Sequence, residues 1–206
     1  MASETERRGP GRPKAASREV VEQIALALML RDGYDTVSVD AIAAEAGIGR
    51  TTFFRYFGSK PGVIWAPFDA TLVWLQESLD AAPVDADPLD AIRVAVVSST
   101  RSAVSSSDVW LERFQLLDSH PNLRSEAHEH WERWKALLAD RVARSFPDGH
   151  DDVVPMAVAG ACHGVFLAEL RRWRDEGDRD GFLRELDDRL LTVCAALHPL
   201  VADAAG

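Results

Sequence analysis

Apolar residues along this 206-residue chain recur three and four positions apart nearly everywhere that a period can be read. Val20, Val21, Ile24, Ala25 and Leu28 do so after Ser17, a residue type suited to capping a helix, and Gly33 follows Arg31 as a stop. Val39, Ile42, Ala43 and Ala46 form one face of a short helix that Ser38 can cap. Gly47-Ile48-Gly49 leaves room for a tight turn only, and the segment from Arg50 to Phe57 reads as a third short helix, ended by Gly58-Ser59. Three such helices, the last pair joined by a turn containing Gly, describe a helix-turn-helix unit.

From Lys60 onward the helices lengthen. The pattern predicts them over 60–81, 88–104, 108–118, 122–146, 152–176 and 180–197, separated by Ala82-Pro83 to Asp87-Pro88, Ser105 to Ser107, His120-Pro121, Pro147-Asp148-Gly149 and Gly177-Asp178. No run alternates as a half-buried strand does, and no internal repeat is present. The expected fold is therefore all-α with about nine helices. It divides into an arm at 1–16, a helix-turn-helix head at 17–62 and a larger helical body at 63–206.

Composition narrows this picture. A hydrophobic share of 47% with 27% charged residues fits a globular protein. The reading finds no apolar run approaching the roughly 20 residues needed to cross a bilayer, and the polar N-terminus lacks the apolar core of a secretory signal, so a cytoplasmic protein without a membrane partner is expected. Cys162 and Cys194 sit in apolar helical stretches without metal or redox spacing and read as buried thiols. The net charge of −10 conceals an asymmetry: residues 1–65 hold nine Lys/Arg against eight Asp/Glu, and residues 66–206 hold fourteen against twenty-five. Arg7, Arg8, Arg12, Lys14 and Arg18 oppose only Glu4 and Glu6 on a Pro/Gly-rich segment, which reads either as an arm that orders on nucleic acid or as a solvated tail.

The third helix carries the chemistry that suits such a head. Phe53 and Phe57, four apart, share a face that can pack on Ile24, Leu28, Ile42 and Ile48, while Arg50, Thr51, Arg55 and Tyr56 fall mostly elsewhere. Arg can bind guanine or phosphate, Thr offers hydroxyl and methyl contacts, and Tyr reaches phosphate. Alone, this is also what an ordinary amphipathic helix looks like; the joint spacing of Ser38, the Gly turn, Arg-Thr-Thr and Gly-Ser-Lys favours a DNA reader.

The run GYDTVSVDAIAAEAGIGRTTFFRYFGSKPGVI, residues 33–64, resembles the DNA-binding head of TetR-type regulators. That resemblance implies that Arg50, Thr51, Thr52 and Arg55 lie at the groove-facing end of a recognition helix and that Tyr56 and Lys60 contact backbone phosphate; the basic arm, with Arg12 and Lys14, would add charge of its own. Gly49 replaces the usual Ser cap and Phe54 the common Tyr, removing two hydroxyl contacts. FFRYF, SK and Trp65-Ala66-Pro67-Phe68-Asp69 further resemble the branch associated with mycofactocin gene clusters, whose members respond to long-chain acyl-coenzyme A.

An acidic body would repel DNA, so two other tasks fall to it. Ala157, Gly160, Ala161 and Gly164 form a small-residue face and Leu190, Leu191, Val193, Cys194 and Leu197 an apolar one; the resemblance implies that these two helices pair in a homodimer, packing within one subunit being the lesser alternative. Trp65, Phe68, Leu72, Trp110, Phe114, Leu117, Trp131, Trp134, Met156 and Phe166 should converge on either a solid core or an apolar pocket for a small hydrophobic effector. An acyl-coenzyme A would need cations at the mouth, from Arg93, Arg101, Arg113 or Arg124; a lipophilic cation would instead use Asp69, Glu112 or Asp118. Pro67 should distort the connector helix. Enzymatic readings fail: His128-Glu129-His130 lacks the i, i+4 spacing for a metal, His163 beside Cys162 reads as a core or pocket histidine, and no cofactor or metal is expected. The expected function is a ligand-responsive repressor that binds an operator in double-stranded DNA; a regulator of efflux and a helical acyl-binding protein with a non-functional head stand as alternatives.

Overall fold

The computed structural model describes residues 16–107, 109–146, 152–176 and 179–205. Among them are nine helices and no strand: α1 (Arg18–Asp32), α2 (Val39–Glu45), α3 (Arg50–Phe57), α4 (Gly62–Ala81), α5 (Pro88–Ser106), α6 (Trp110–Ser119), α7 (Pro121–Ala143), α8 (Val153–Glu176) and α9 (Arg179–Ala205). The basic arm, with Arg12 and Lys14, lies outside the described residues.

The caps act where the sequence placed them. Ser17 Oγ accepts from Val20 N at 3.4 Å and Ser38 Oγ from Ala41 N at 3.1 Å. Gly58 closes α3 with φ +70°, in the left-handed region open to glycine, and Ser59 Oγ accepts the Gly62 amide at 3.1 Å. Gly62 is needed for a different reason: a Cβ there would collide with the carbonyl oxygen of Phe57. Pro88 and Pro121 stand first in α5 and α7, where a missing amide N–H costs nothing.

The largest change of boundary is at the end of the chain: α9 continues through Pro199 to Ala205 rather than ending at 197, because Val201 docks in the core at 7% exposure while the turn around Pro199 lies at the surface. α4 runs through Pro67 as one helix, as the predicted 60–81 span requires. Within α8, Val153–Trp173 also has the length and mean hydropathy, 1.6, of a membrane span, which corrects the reading that no such run exists; 39% of it is buried against other helices.

α1 to α3 enclose a small core of Val21, Leu26, Met29, Ile42 and Phe53, all no more than 1% exposed. In the body α4 packs on α5, α5 on α9, α7 on α8 and α8 on α9. Head meets body through α1 and α3 against α4 and through α1 against α6, so the relation between them is set by three packed contacts rather than a linker.

Candidate DNA interface and effector cavity

On α3 the aromatic pair turns inward, Phe53 at 0% and Phe57 at 7% exposure with ring centres 5.2 Å apart. This leaves Arg50, Thr51 and Arg55 exposed together, with Thr52 and Tyr56 half-buried beside them. Arg50 is not loose. Its Nη1 donates to both carboxylate oxygens of Asp40 on α2, at 2.7 and 2.8 Å, and its guanidinium carbon lies 5.8 Å from the centre of the Phe54 ring. Phe54, 41% exposed, is itself held edge-on by Phe53. An exposed ion pair of this kind contributes only about 0–1 kcal/mol to stability, so its main physical effect is to fix the direction of the guanidinium.

The two residues expected on phosphate, Tyr56 and Lys60, are bonded to the protein's own backbone. Tyr56 donates its hydroxyl to Ala16 O at 3.2 Å, tying α3 to the last residue of the arm, and Arg55 lies over the Tyr56 ring at 5.3 Å. Lys60 Nζ donates to Tyr34 O at 2.7 Å and Val37 O at 3.0 Å and sits 4.2 Å from the Tyr34 ring centre. An ammonium has three donors, so one remains for a phosphate. Gly49 supplies no side-chain cap to α3. Asp40 escaped the sequence reading because an acid in the first turn of α2 is already accounted for by the helix dipole.

In the body, Phe68, Trp110, Trp131, Trp134 and Phe166 converge as expected. Phe68 meets Trp110 at 5.5 Å and Trp131 at 6.1 Å, and Phe166 meets Trp131 at 6.0 Å and Trp134 at 5.6 Å. Together with Thr71, Ser99, Thr100 and Ala103 they surround a cavity of only about 20 Å³. That holds about one water, not a ligand of drug size. Leu117 and Phe114 are buried outside the lining, Trp65 stacks on His130 at 4.3 Å, and Leu72 borders an open groove between α4 and α7. Met156, 41% exposed, belongs to the outer face of α8 instead.

The polar members of the lining were not legible because their hydroxyls vanish into their own helix. Ser99 and Thr100 both donate back to Val96 O, at 3.1 and 2.6 Å, presenting mainly their carbon atoms to the space. His163 packs against Trp131 and Trp134, with a buried Nε2 that has no hydrogen-bond partner among the described residues. Burial lowers its pKa from the ordinary 6.5 to about 4, so the ring is neutral near pH 7.

Among the described residues no charged side chain lines this cavity. Asp69 pairs with Arg133 at 2.8 Å and Asp118 with Arg171 at 3.0 Å. Arg93 bonds Asp90 and Asp187, Arg113 bonds Glu22, and Arg101 and Arg124 are exposed. Neither the acids nor the cations predicted for the mouth converge there.

The small-residue face of α8 points outward: Ala157, Gly160 and Gly164 are exposed and Ala161 is half-buried. A Cβ added at Gly160 or Gly164 would meet nothing within 4 Å, so packing within the subunit does not require these glycines. On α9, Val193 and Leu197 are half-buried, whereas Leu190 and Cys194 are spent inside the subunit at 0% and 5% exposure, which corrects their assignment to an outer face. Leu191, one residue on, is 53% exposed. Cys162 and Cys194 are both buried free thiols.

Residues 23–64 match the family model for bacterial regulatory proteins of the tetR family, and residues 86–198 match that of the MftR C-terminal domain. The chain is 31% identical over 167 residues, 81% of its length and 84% of the relative's, to a Mycobacterium tuberculosis protein assigned as the mycofactocin biosynthesis transcriptional regulator MftR. Among solved structures it resembles SmeT, the repressor of the Stenotrophomonas maltophilia multidrug efflux pump SmeDEF, with a TM-score of 0.61 at 18% identity, covering 88% of this chain and 90% of that one. It also resembles the TetR-family repressor FadR of Thermus thermophilus in complex with lauroyl-CoA, with a TM-score of 0.55 at 20% identity over 84% and 91% of the two chains.

Proposed function

The chain belongs to the TetR family of bacterial transcription regulators, with a body of the MftR C-terminal type, and we propose that it is a cytoplasmic homodimeric repressor whose effector is a long-chain acyl-coenzyme A. It is a DNA-binding regulator, not an enzyme. Arg50, held by Asp40 and Phe54, reads a base from the exposed side of α3; Thr51, Thr52 and Arg55 flank it, the third donor of Lys60 takes a phosphate, Tyr56 takes another by turning its hydroxyl from Ala16 O, and Arg12 and Lys14 add charge from the arm.

The observation that carries the effector reading is a cavity walled by five aromatic rings with no charged side chain among the described residues of its lining. Such walls suit an alkyl chain; neither the acids expected for a lipophilic cation nor the arginines expected for the coenzyme phosphates stand at the cavity among the described residues, so the preference rests on the apolar walls. The lauroyl-CoA bound by the FadR neighbour supports the same class of ligand. The lining must part to admit a chain, and because α4 carries Phe68 on the cavity and also packs on α1 and α3, parting it would move the heads. Pairing is assigned to the outward stripe Ala157, Gly160, Ala161 and Gly164 with Val193 and Leu197.

Operator release is the test. Fluorescence anisotropy of labelled upstream DNA, titrated with oleoyl-coenzyme A, oleate, free coenzyme A and a lipophilic cation, should show release by the acyl-coenzyme A alone. Release by the cation and not by the thioester would overturn the effector assignment and leave the regulator assignment standing.

A further inference from the structure

A side chain of the body stands against the loop from which the head holds Lys60. His120 forms the corner between α6 and α7, its amide donating to Leu116 O at 3.2 Å and its carbonyl accepting from Arg124 N at 3.0 Å. The imidazole is turned to the head. Its Nε2 lies 3.2 Å from Asp35 Oδ2, and its ring meets that of Tyr34 with centres 5.3 Å apart. Tyr34 and Asp35 belong to the loop between α1 and α2, and Tyr34 is buried there at 6% exposure.

The same loop orients Lys60. Its ammonium donates to Tyr34 O and Val37 O and lies over the Tyr34 ring, which His120 also touches. An ammonium with two of its three donors on fixed carbonyls points the third in a set direction. Without those carbonyls it is a mobile point charge on a flexible stem. Lys60 also stands just before α4, which begins at Gly62, so two body elements meet at its ammonium: α4 through the chain, and α6 through His120 and the loop. At the other end of α6, Trp110 lines the aromatic cavity, about 15 Å away at 1.5 Å per residue. Movement of that wall relative to α4 would draw the loop carbonyls off Lys60.

We propose that His120 is a positioning residue for DNA binding: by holding Tyr34 and Asp35 it fixes the carbonyls that aim Lys60, and it makes this phosphate contact answer to the body. The proposal rests on the reading of Lys60 as a phosphate ligand and is independent of which effector enters the cavity. The role is indirect, so its signature is a lost cationic contact rather than a lost fold.

The full chain without effector is titrated by fluorescence anisotropy into operator and random duplexes over a range of salt concentrations. Lys60→Ala should weaken both complexes about tenfold and flatten the plot of log affinity against log salt by about one unit. His120→Leu and Asp35→Ala should each weaken both about threefold and flatten the plot in the same direction, and should cost nothing further in the Lys60→Ala background, since residues acting through one another are not additive. Asp35→Ala is the sharper of the two, because it removes a negative charge and by Coulomb attraction alone would tighten binding. Its side chain is 65% exposed, so the substitution spares the core and decides the matter should His120→Leu not fold. Affinity and slope not lowered by Asp35→Ala, or losses that add in full to that of Lys60→Ala, would overturn the proposal and leave Lys60 on phosphate. No effect of Lys60→Ala would overturn the phosphate reading and the proposal with it.

Discussion

Arg50 and Asp40 set two physical effects against each other. Removing the carboxylate with Asp40→Asn takes a negative charge off the DNA-facing surface, which by Coulomb attraction alone would tighten binding to any duplex. It also releases a guanidinium that is otherwise aimed, and a good bidentate contact to guanine discriminates by about 1–3 kcal/mol. The expected outcome is that affinity for random DNA holds or rises while the ratio of operator to random affinity falls. Arg50→Ala should reduce that ratio further. Parallel anisotropy titrations on the two duplexes measure this, and a ratio left intact by Asp40→Asn would show the pair to be idle. His163 supplies a prediction in pH. Its folded pKa, about 4, lies below the unfolded 6.5, so between these values the unfolded chain binds a proton that the folded chain refuses. Stability attributable to this ring is complete above about pH 6.5 and declines as pH falls toward 4. Urea midpoints at pH 7, 5.5 and 4.5 should therefore drop less for His163→Leu than for the unaltered protein.

Among the elements, α8 carries the clearest unmet requirement. Gly160 is exposed and a side chain there would find open space within the subunit, so Gly160→Leu should leave the helix content and melting of the fold nearly unchanged while preventing close approach of a second copy. Sedimentation at micromolar concentration should shift from dimer to monomer; a dimer that tolerates the leucine would move the pairing face elsewhere. This helix also marks the limit of what the sequence discloses. Helix existence and caps were legible because they depend on neighbours three or four residues away, as at Ser17 and Ser38. Which of Leu190 and Leu191 faces outward was not, since both suit a helix and only the packing of α5 and α8 on α9 selects between them. The same holds for Pro199, a sequence stop overridden by the docking of Val201, and for Asp40, whose partner is ten residues away on another helix. The five rings of the cavity were legible as residue types, but the space they leave depends on how far they close, which composition does not encode.

For the whole molecule, charge separates the two halves, and the arm should add to the long-range part of DNA attraction. Deleting residues 1–14 removes Arg7, Arg8, Arg12 and Lys14 together with Glu4 and Glu6, four cations against two anions. Fewer released counterions should flatten the plot of log affinity against log salt; an unchanged slope would mean that these residues never approach phosphate. The closure of the aromatic cavity to about 20 Å³ has a consequence in time as well as in space. A protein whose receptive form is a minor fraction of the resting population binds more weakly than that form would, by the factor of that fraction. It also cannot respond faster than the receptive form appears. Trp110, Trp131 and Trp134 report on the event from the cavity wall, so stopped-flow emission should give an association rate that levels off as acyl-coenzyme A is raised, the plateau being the opening rate of the protein itself. Mutations that shave the wall, such as Trp131→Leu, should lift that plateau, making a regulator that answers sooner and at lower ligand concentrations.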